Sequence, residues 1–240
     1  YTAMRILGVD AADERAVKGR SFIHSQGGAI GAPSWAKFWL CTLGLYEYVG
    51  INPVIPELWI LPYWFPLCPG RMWCHCRVVY LPMSYCYGVK LVTPLTPLLK
   101  DLRKELYCTR YETIQWHKYR NFVGPRDLYT RHSKLLDLVH WILSGYEHIH
   151  IKWLRKWATD TCLDHIRQED ENTKYIDIGP VNKVINMLSV WHSNPGSPAF
   201  QKHQDRLYDY LWLAEDGMKM QGYNGSQLWD CAFFVQAAIE

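Results

Sequence analysis

The spacing of apolar side chains along the chain predicts a succession of helices and almost no strands. Helical windows are expected at residues 34–48, 72–87, 98–107, 133–143, 153–169, 181–191 and 200–213, and again from residue 226 onward. In these windows the apolar residues recur at the spacing of one face of a helix. The pattern predicts an all-α fold of many helices joined by short loops that contain Pro or Gly.

Several windows carry residues that begin, bend or end helices. Thr96 and Pro97 supply a cap and a first-turn proline, and Ser133 is a good cap for the helix with the most hydrophobic face in the chain. Pro82 is expected to kink its helix or to split it in two. The acidic run 169–171 is expected to be solvated.

The segment 51–70 interrupts this helical order. It contains Pro53, Pro56, Pro62, Pro66 and Pro69, and this proline density forbids a long regular element. Because the segment is also rich in Trp and Leu, we expect a loop that packs against a core.

Charge and hydropathy exclude some classes of function. The chain has 240 residues and a formal net charge of +3, and its basic residues are scattered among acidic ones, so nucleic-acid binding is not indicated. No apolar run approaches the ~18 to 20 residues that cross a bilayer. If a membrane matters, we expect the protein to lie on it.

The eight cysteines are spread through apolar surroundings, which favours reduced thiols. Cys74, His75 and Cys76 suggest a zinc site, but three consecutive ligands are hard to wrap around one tetrahedral metal. Cys162 and His165 would be only a weak second pair of zinc ligands. We therefore predict no metal site.

Aromatic residues are unusually frequent, at 15% of the chain. Core packing explains most Trp and Tyr in a helical protein. Aromatic faces also attract a cation without offering a nucleophilic lone pair, so the composition is compatible with carbocation chemistry as well.

Two segments share a pattern of Gln, Gly and Trp. The second, 221–229, resembles the glutamine-tryptophan motifs of triterpene cyclases, and the first, from Gln26 through Trp35, is a looser variant. A Gln side chain can cap a helix end while it stacks beside a Trp, which ties neighbouring helices together.

Longer strings resemble the oxidosqualene cyclases, and the resemblance covers essentially the whole chain. They are Pro33-Ser34-Trp35, Met72-Trp73-Cys74-His75-Cys76-Arg77, Leu81-Pro82-Met83-Ser84-Tyr85, Ile178-Gly179-Pro180-Val181-Asn182-Lys183 and Asp216-Gly217-Met218-Lys219-Met220-Gln221-Gly222. The resemblance implies cyclisation of 2,3-oxidosqualene to a tetracyclic sterol precursor such as cycloartenol, parkeol or lanosterol.

The family fold is two α/α barrels, one inserted within the other. By this resemblance residues 1–204 belong to the inserted barrel and residues 205–240 begin the catalytic barrel. Both chain ends look like cuts, so we expect an internal fragment. The Asp-Cys-Thr-Ala-Glu motif, whose Asp protonates the epoxide, is not in the sequence, and we predict that residues 1–240 alone do not cyclise the substrate.

The resemblance also assigns roles to individual side chains. It implies that Trp229 lies near the early cation and that Trp73 and Trp35 line the distal cavity, although each could be structural. It implies that His75 stabilises the late C-20 cation. Tyr223 matches cycloartenol-type enzymes, whereas the stretch 83–87 looks more like the animal enzymes, so the product stays open.

Cys76 and Tyr80 are one helical turn apart and face the same way. The resemblance places them at the constriction between the substrate channel and the cavity. A small apolar thiol and a packed tyrosine would look the same on sequence alone.

The helix near 133–143 is the candidate membrane contact. Its apolar face is too short to span but could lie in one leaflet, with His132, Lys134 and Trp141 near the interface. A buried core helix would look similar. The resemblance favours a monotopic protein on the cytosolic side of the endoplasmic reticulum or a lipid droplet, with no metal and no organic cofactor.

Four alternatives remain at this point. The chain could come from a pentacyclic triterpene synthase or a squalene-hopene cyclase, or it could belong to a prenyltransferase-like barrel with the same fold. It could also be a truncated, inactive chain. The strings around His75 and before Tyr223 favour a sterol-forming oxidosqualene cyclase.

Overall fold

The computed structural model describes residues 1–66, 68–220 and 228–239, with the side chains of residues 228–231 and 233 left aside. The α-helices of these ranges are α1 (Thr2–Ile6), α2 (Glu14–Ser25), α3 (Ser34–Thr42), α4 (Cys74–Gly88), α5 (Pro97–Leu106), α6 (Lys134–Ile149), α7 (Lys152–Asn172), α8 (Pro180–Ser193), α9 (Pro198–Asp205) and α10 (Leu228–Ile239). The described strands are β1 (Leu211–Ala214) and β2 (Gly217–Met220), which pair antiparallel with Leu211 opposite Met220. The all-α prediction is confirmed.

Contacts divide the chain into two compact units, each built from two separate segments. The first unit comprises Tyr1–Pro53 and Val89–His150, and the second comprises Val54–Gly88 and Ile151–Glu240.

The core of the first unit is largely aromatic. The rings of Tyr46 and Trp116 are 4.5 Å apart at their centroids. Tyr107 packs edge-on against the same Trp116 at 5.4 Å, and Tyr111 packs against it at a tilt at 4.9 Å. Arg103 lies 3.9 Å over the ring of Tyr111. These aromatic residues therefore serve packing, as expected for most aromatic residues of a helical protein.

Helix α3 is shorter than the predicted window 34–48, because glycine ends it early. Gly44 has φ of +67°, the left-handed region that glycine adopts without strain. The amide of Gly44 donates to the carbonyl of Cys41 at 2.9 Å, and that of Leu45 donates to Leu40 at 2.7 Å. This pair of bonds is the Schellman ending of a helix.

The predicted caps of α5 and α6 are confirmed. The hydroxyl of Thr96 accepts from the amide of Leu99, and that of Ser133 accepts from the amide of Leu136. The predicted helix 200–213 is wrong in its second half, since α9 ends at Asp205 and the chain turns into β1.

The second unit is organised around α4, which packs on α7, on α8 and on the 3-10 turn Pro56–Ile60. At its end a Cβ on Gly88 would lie 2.6 Å from Thr159 and 2.8 Å from Pro56, so only glycine allows this close approach. The guanidinium of Arg155 donates to the carboxylate of Glu57 at 2.6 Å, and both side chains are buried. The proline-rich loop thus packs against a core through its first half, while Tyr63 and Trp64 are exposed.

Pro82 lies inside α4 without splitting it. A proline lacks the amide that would bond the carbonyl four residues earlier, here that of Val78. The side-chain amide of Asn182 on α8 donates to this carbonyl at 3.2 Å. The neighbouring helix therefore satisfies the acceptor that Pro82 leaves open.

Candidate functional site

The predicted site residues of the second unit gather at the start of α4. The carbonyl of Trp73 accepts from the amides of Cys76 and Arg77, both at 3.0 Å, which fixes Trp73 at the first turn. Its ring meets that of His75 edge-on, with centroids 4.6 Å apart. Trp73 is 59% exposed and His75 is half-buried, so the pair is open to a ligand.

Cys76 and Tyr80 lie one turn apart on α4, and both are half-buried. The hydroxyl of Ser84 donates to the carbonyl of Tyr80 at 2.8 Å and accepts from the indole of Trp59 at 2.9 Å. This bond ties the 3-10 turn to α4 and holds the helix that carries both candidates.

The remaining predicted residues lie elsewhere or outside the described residues. Trp35 is in the first turn of α3, in the first unit, and is 39% exposed. Trp229 falls in α10 but its side chain is not described, and Tyr223 lies outside the described residues. The structure therefore brings Trp73 together with His75 and leaves the other assignments as predictions.

A cavity of about 360 Å³ borders a second flank of α4. From α4 it is lined by Cys74, Arg77, Val78 and Leu81, and from α7 by His165 and Glu169. His75, Cys76 and Tyr80 are not among its lining residues.

The second unit also contains a buried cluster of charged groups, formed by Asp170, Asp177, Lys183 and His203. The ammonium of Lys183 bonds Nδ1 of His203 at 2.8 Å and lies 3.8 Å from Asp177, and it also donates to the carbonyl of Tyr175. The second ring nitrogen of His203 is 3.1 Å from the carboxylate of Asp170.

Burial shifts the ionisation of every member of this cluster. It raises the pKa of Asp177 to about 7, with the charge of Asp170 adding to the effect, and it raises the pKa of Asp170 to about 6. It lowers the pKa of His203 to about 4, and lowers that of Lys183. Near neutral pH His203 is therefore uncharged, and Asp177 is only partly ionised.

Three possible metal ligands converge here, since donor atoms of Asp170, Asp177 and His203 lie within 4.8 Å of one another. A cation is already supplied, however, because the Lys183 ammonium bonds His203 Nδ1 and neighbours Asp177. The cluster is therefore a structural ion network. The acidic run 169–171 was predicted to be solvated. This prediction is wrong for Asp170, which is 1% exposed.

Sequence reasoning missed this network, although the string 178–183 contains one of its members, Lys183, beside the buried Asn182. The side-chain oxygen of Asn182 accepts from the amides of Ile178 and Gly179 at 3.0 and 3.1 Å, while its nitrogen donates to Val78. Asn182 and Lys183 thus join α8 to its neighbours. The signal for these buried polar contacts in the sequence was a Gly-Pro pair followed by polar residues inside an otherwise apolar helix.

Helix α6 has its apolar side chains outward. Well-exposed residues along it are Leu135, Leu138, Trp141, Ile142 and Ile149. The polar residues of α6 make the contacts within the unit: Asp137 accepts from Asn121 at 3.3 Å, and Glu147 pairs with Lys90 at 2.9 Å. An ordinary surface helix has the opposite arrangement. None of the helices in the described ranges is both long and apolar enough to cross a membrane.

Comparison with known proteins relates this geometry to one enzyme family. Residues 1–216 match the family model of the squalene-hopene cyclase N-terminal domain. Over its full length the chain is 58% identical to a cycloartenol synthase of Dictyostelium discoideum and 50% identical to the lanosterol synthase of Mus musculus, covering 34% and 33% of those proteins. An alpha-onocerin synthase of Lycopodium clavatum is 43% identical, with 32% of it covered.

The chain thus spans about a third of the length of the curated relatives it matches. The family model covers most of the chain, and the structure is mostly helical, as the terpene cyclase α/α toroids are. The chain belongs to the family of squalene-hopene and oxidosqualene cyclases.

Proposed function

We propose that the full-length protein containing this chain is an oxidosqualene cyclase that makes a tetracyclic sterol precursor. The observation that carries the proposal is the 58% identity, over all 240 residues, to a cycloartenol synthase. The open Trp73 and His75 pair agrees with it, because its rings can face a cationic hydrocarbon.

The chemistry requires a positive charge to migrate along an apolar chain without being quenched. A desolvated aromatic face attracts a cation by about 0.5 to 2 kcal/mol or more and offers no basic lone pair. Trp73, Trp35 and Trp229 are proposed for this role. His75 is proposed to stabilise the late cation, and Tyr223 to influence the final loss of a proton.

Cys76 and Tyr80 are proposed to form the constriction through which the substrate reaches the cavity. Their one-turn spacing on a helix held by Trp59 and Ser84 supports a fixed gate. Residues 1–204 and 205–240 are proposed to belong to the inserted and the catalytic barrel, respectively. The acid that opens the epoxide is proposed to lie outside this sequence.

The protein is further proposed to bind one leaflet of the endoplasmic reticulum or of a lipid droplet through α6. The outward Leu, Ile and Trp residues of α6 support this, since an apolar surface of this kind is stabilised by leaving water. A lipid-soluble substrate could then enter the protein without crossing water.

The experiment is expression of the full-length protein in a yeast strain that lacks its own cyclase, followed by mass spectrometry of the accumulated alcohol. We expect cycloartenol, parkeol or lanosterol. Residues 1–240 expressed alone serve as the control and are expected to give no product. A pentacyclic triterpene, or no product from the full-length protein, would contradict the proposal.

A further inference from the structure

A second group of metal-ligating side chains lies at the start of α6, and none of its members is proposed to take part in cyclisation. One ring nitrogen of His132, one of His140 and a carboxylate oxygen of Asp137 lie within 4.8 Å of one another. Nδ1 of His132 is 3.4 Å from the carboxylate of Asp137, and the two imidazole rings are 5.4 Å apart at their centroids.

The local fold explains why these side chains meet. Ser133 caps α6, so His132 lies immediately before the first turn. Asp137 and His140 are three residues apart and therefore lie on one face of the helix. His132 turns its ring back over this face, where Asp137 is also held by the side-chain amide of Asn121.

One ring nitrogen of His140 is left without a hydrogen-bond partner among the described residues. This atom, Nδ1, is buried. A buried ring nitrogen in this state has lost water without compensation.

The group at α6 differs from the buried cluster of Asp170, Asp177 and His203 in one respect. In the buried cluster the ammonium of Lys183 already bonds His203 and lies 3.8 Å from Asp177. Among the described residues no lysine or arginine forms an ion pair with Asp137, which contacts the side chains of Asn121 and His132. The group at α6 therefore has donors and a negative charge but lacks a fixed cation.

We propose that His132, Asp137 and His140 bind one divalent cation of the zinc class. Two imidazoles and one carboxylate suit zinc, and water would complete a tetrahedral site that is open on its exposed side. Binding requires the donor atoms to draw together, because zinc bonds to nitrogen and oxygen are about 2.0 to 2.2 Å long.

Such an ion would cross-link His132, which precedes the cap of α6, to Asp137 and His140 in the first two turns of the helix. It would hold the start of the helix whose outward face is apolar. The proposal rests on the three ligands alone and stands whether or not the cyclase function is correct.

The test measures zinc binding to the full-length protein, untagged so that added histidines do not contribute. Equilibrium dialysis with Zn²⁺ is expected to give one tight site. His132→Asn and His140→Gln should each weaken it by roughly 10- to 100-fold, the loss known for removing even outer-shell partners of a metal site. His148→Gln, an exposed histidine of the same helix, is the matched control and should leave binding unchanged.

Two further measurements keep the test decisive if a variant folds poorly. Co²⁺ bound in place of zinc should give a spectrum without thiolate-to-metal bands, which excludes exposed cysteines such as Cys74 and Cys108 as the ligands. Zn²⁺ should also slow amide exchange over residues 132–149 of the unaltered protein. Absence of tight binding, the presence of thiolate bands, or binding by both variants as tight as that of the unaltered protein would overturn the proposal.

Discussion

Trp73 and His75 illustrate how two neighbouring residues can be placed by one helical turn. Their rings meet at 4.6 Å because Trp73 directly precedes α4 and His75 lies in its first turn. If they stabilise a cation, each is needed at a particular stage of the reaction and not for folding, since both remain accessible.

Replacing His75 by Ala in the full-length protein is expected to lower the yield of the main product about 2- to 30-fold, the range that 0.5 to 2 kcal/mol of cation stabilisation implies. Products of early termination should appear beside it, because the late cation loses a partner. Product analysis in the cyclase-deficient yeast measures both effects. The exposed His117, changed to Gln, is the control, and an unchanged product profile in His75→Ala would refute the assignment.

Lys183 represents a different kind of residue, one that is buried for structural reasons. Lys183→Met is expected to destabilise the protein by about 3 to 5 kcal/mol, because it leaves the buried carboxylates without their cation. The matched control is Lys156→Met, which removes only the surface pair with Asp160 and should cost about 1 kcal/mol or less. Thermal and denaturant unfolding measure the difference, and equal stability of the two variants would contradict the network.

The same network predicts how stability changes with pH. The native pKa of Asp177, about 7, is above its usual value of 3.8, so the native state binds this proton more tightly than the unfolded state. The stabilisation from this group is therefore complete below about pH 4 and is lost as the pH rises through about 7. Lys183→Met should steepen this loss, so acidification from pH 7 to 5 should recover stability in the variant more than in the unaltered protein.

At the scale of elements, α6 and α4 show two ways in which a helix depends on its neighbours. Helix α4 tolerates Pro82 because Asn182 of α8 bonds the carbonyl of Val78. Helix α6 presents apolar side chains outward and uses Asp137 and Glu147 for contacts within its unit. The hydrophobic face was predicted from sequence, but its direction was not.

Trp141→Glu in α6 is expected to weaken binding of the full-length protein to lipid vesicles by at least about tenfold. A large apolar side chain contributes roughly 1.5 to 3 kcal/mol on burial, and a charge in its place opposes insertion. Gln201→Glu adds the same charge at an exposed position of α9 and should leave binding unchanged. Vesicle flotation measures the effect, and equal flotation of both variants would argue against α6 as the membrane surface.

At the scale of the whole molecule, the two units do not follow the order of the chain. Each combines two segments, and residues 54–88 join residues 151–240 across an intervening stretch of the other unit. Helical periodicity describes neighbours within a few turns, so it contains no signal for such pairing. The division into barrels at residue 204 depends on the family resemblance and stays a prediction.

The sequence alone determined the all-α class, most helix positions, the caps at Thr96 and Ser133 and the family, because these depend on local spacing, on cap chemistry or on long matching strings. It could not locate the ends set by backbone geometry, such as Gly44, or the short strands after Asp205. Only the tertiary structure decided that Asp170 is buried, that Asn182 donates to the carbonyl of Val78 and that the apolar face of α6 points outward. Each of these depends on atoms distant in sequence, whose burial and pairing arise when helices pack.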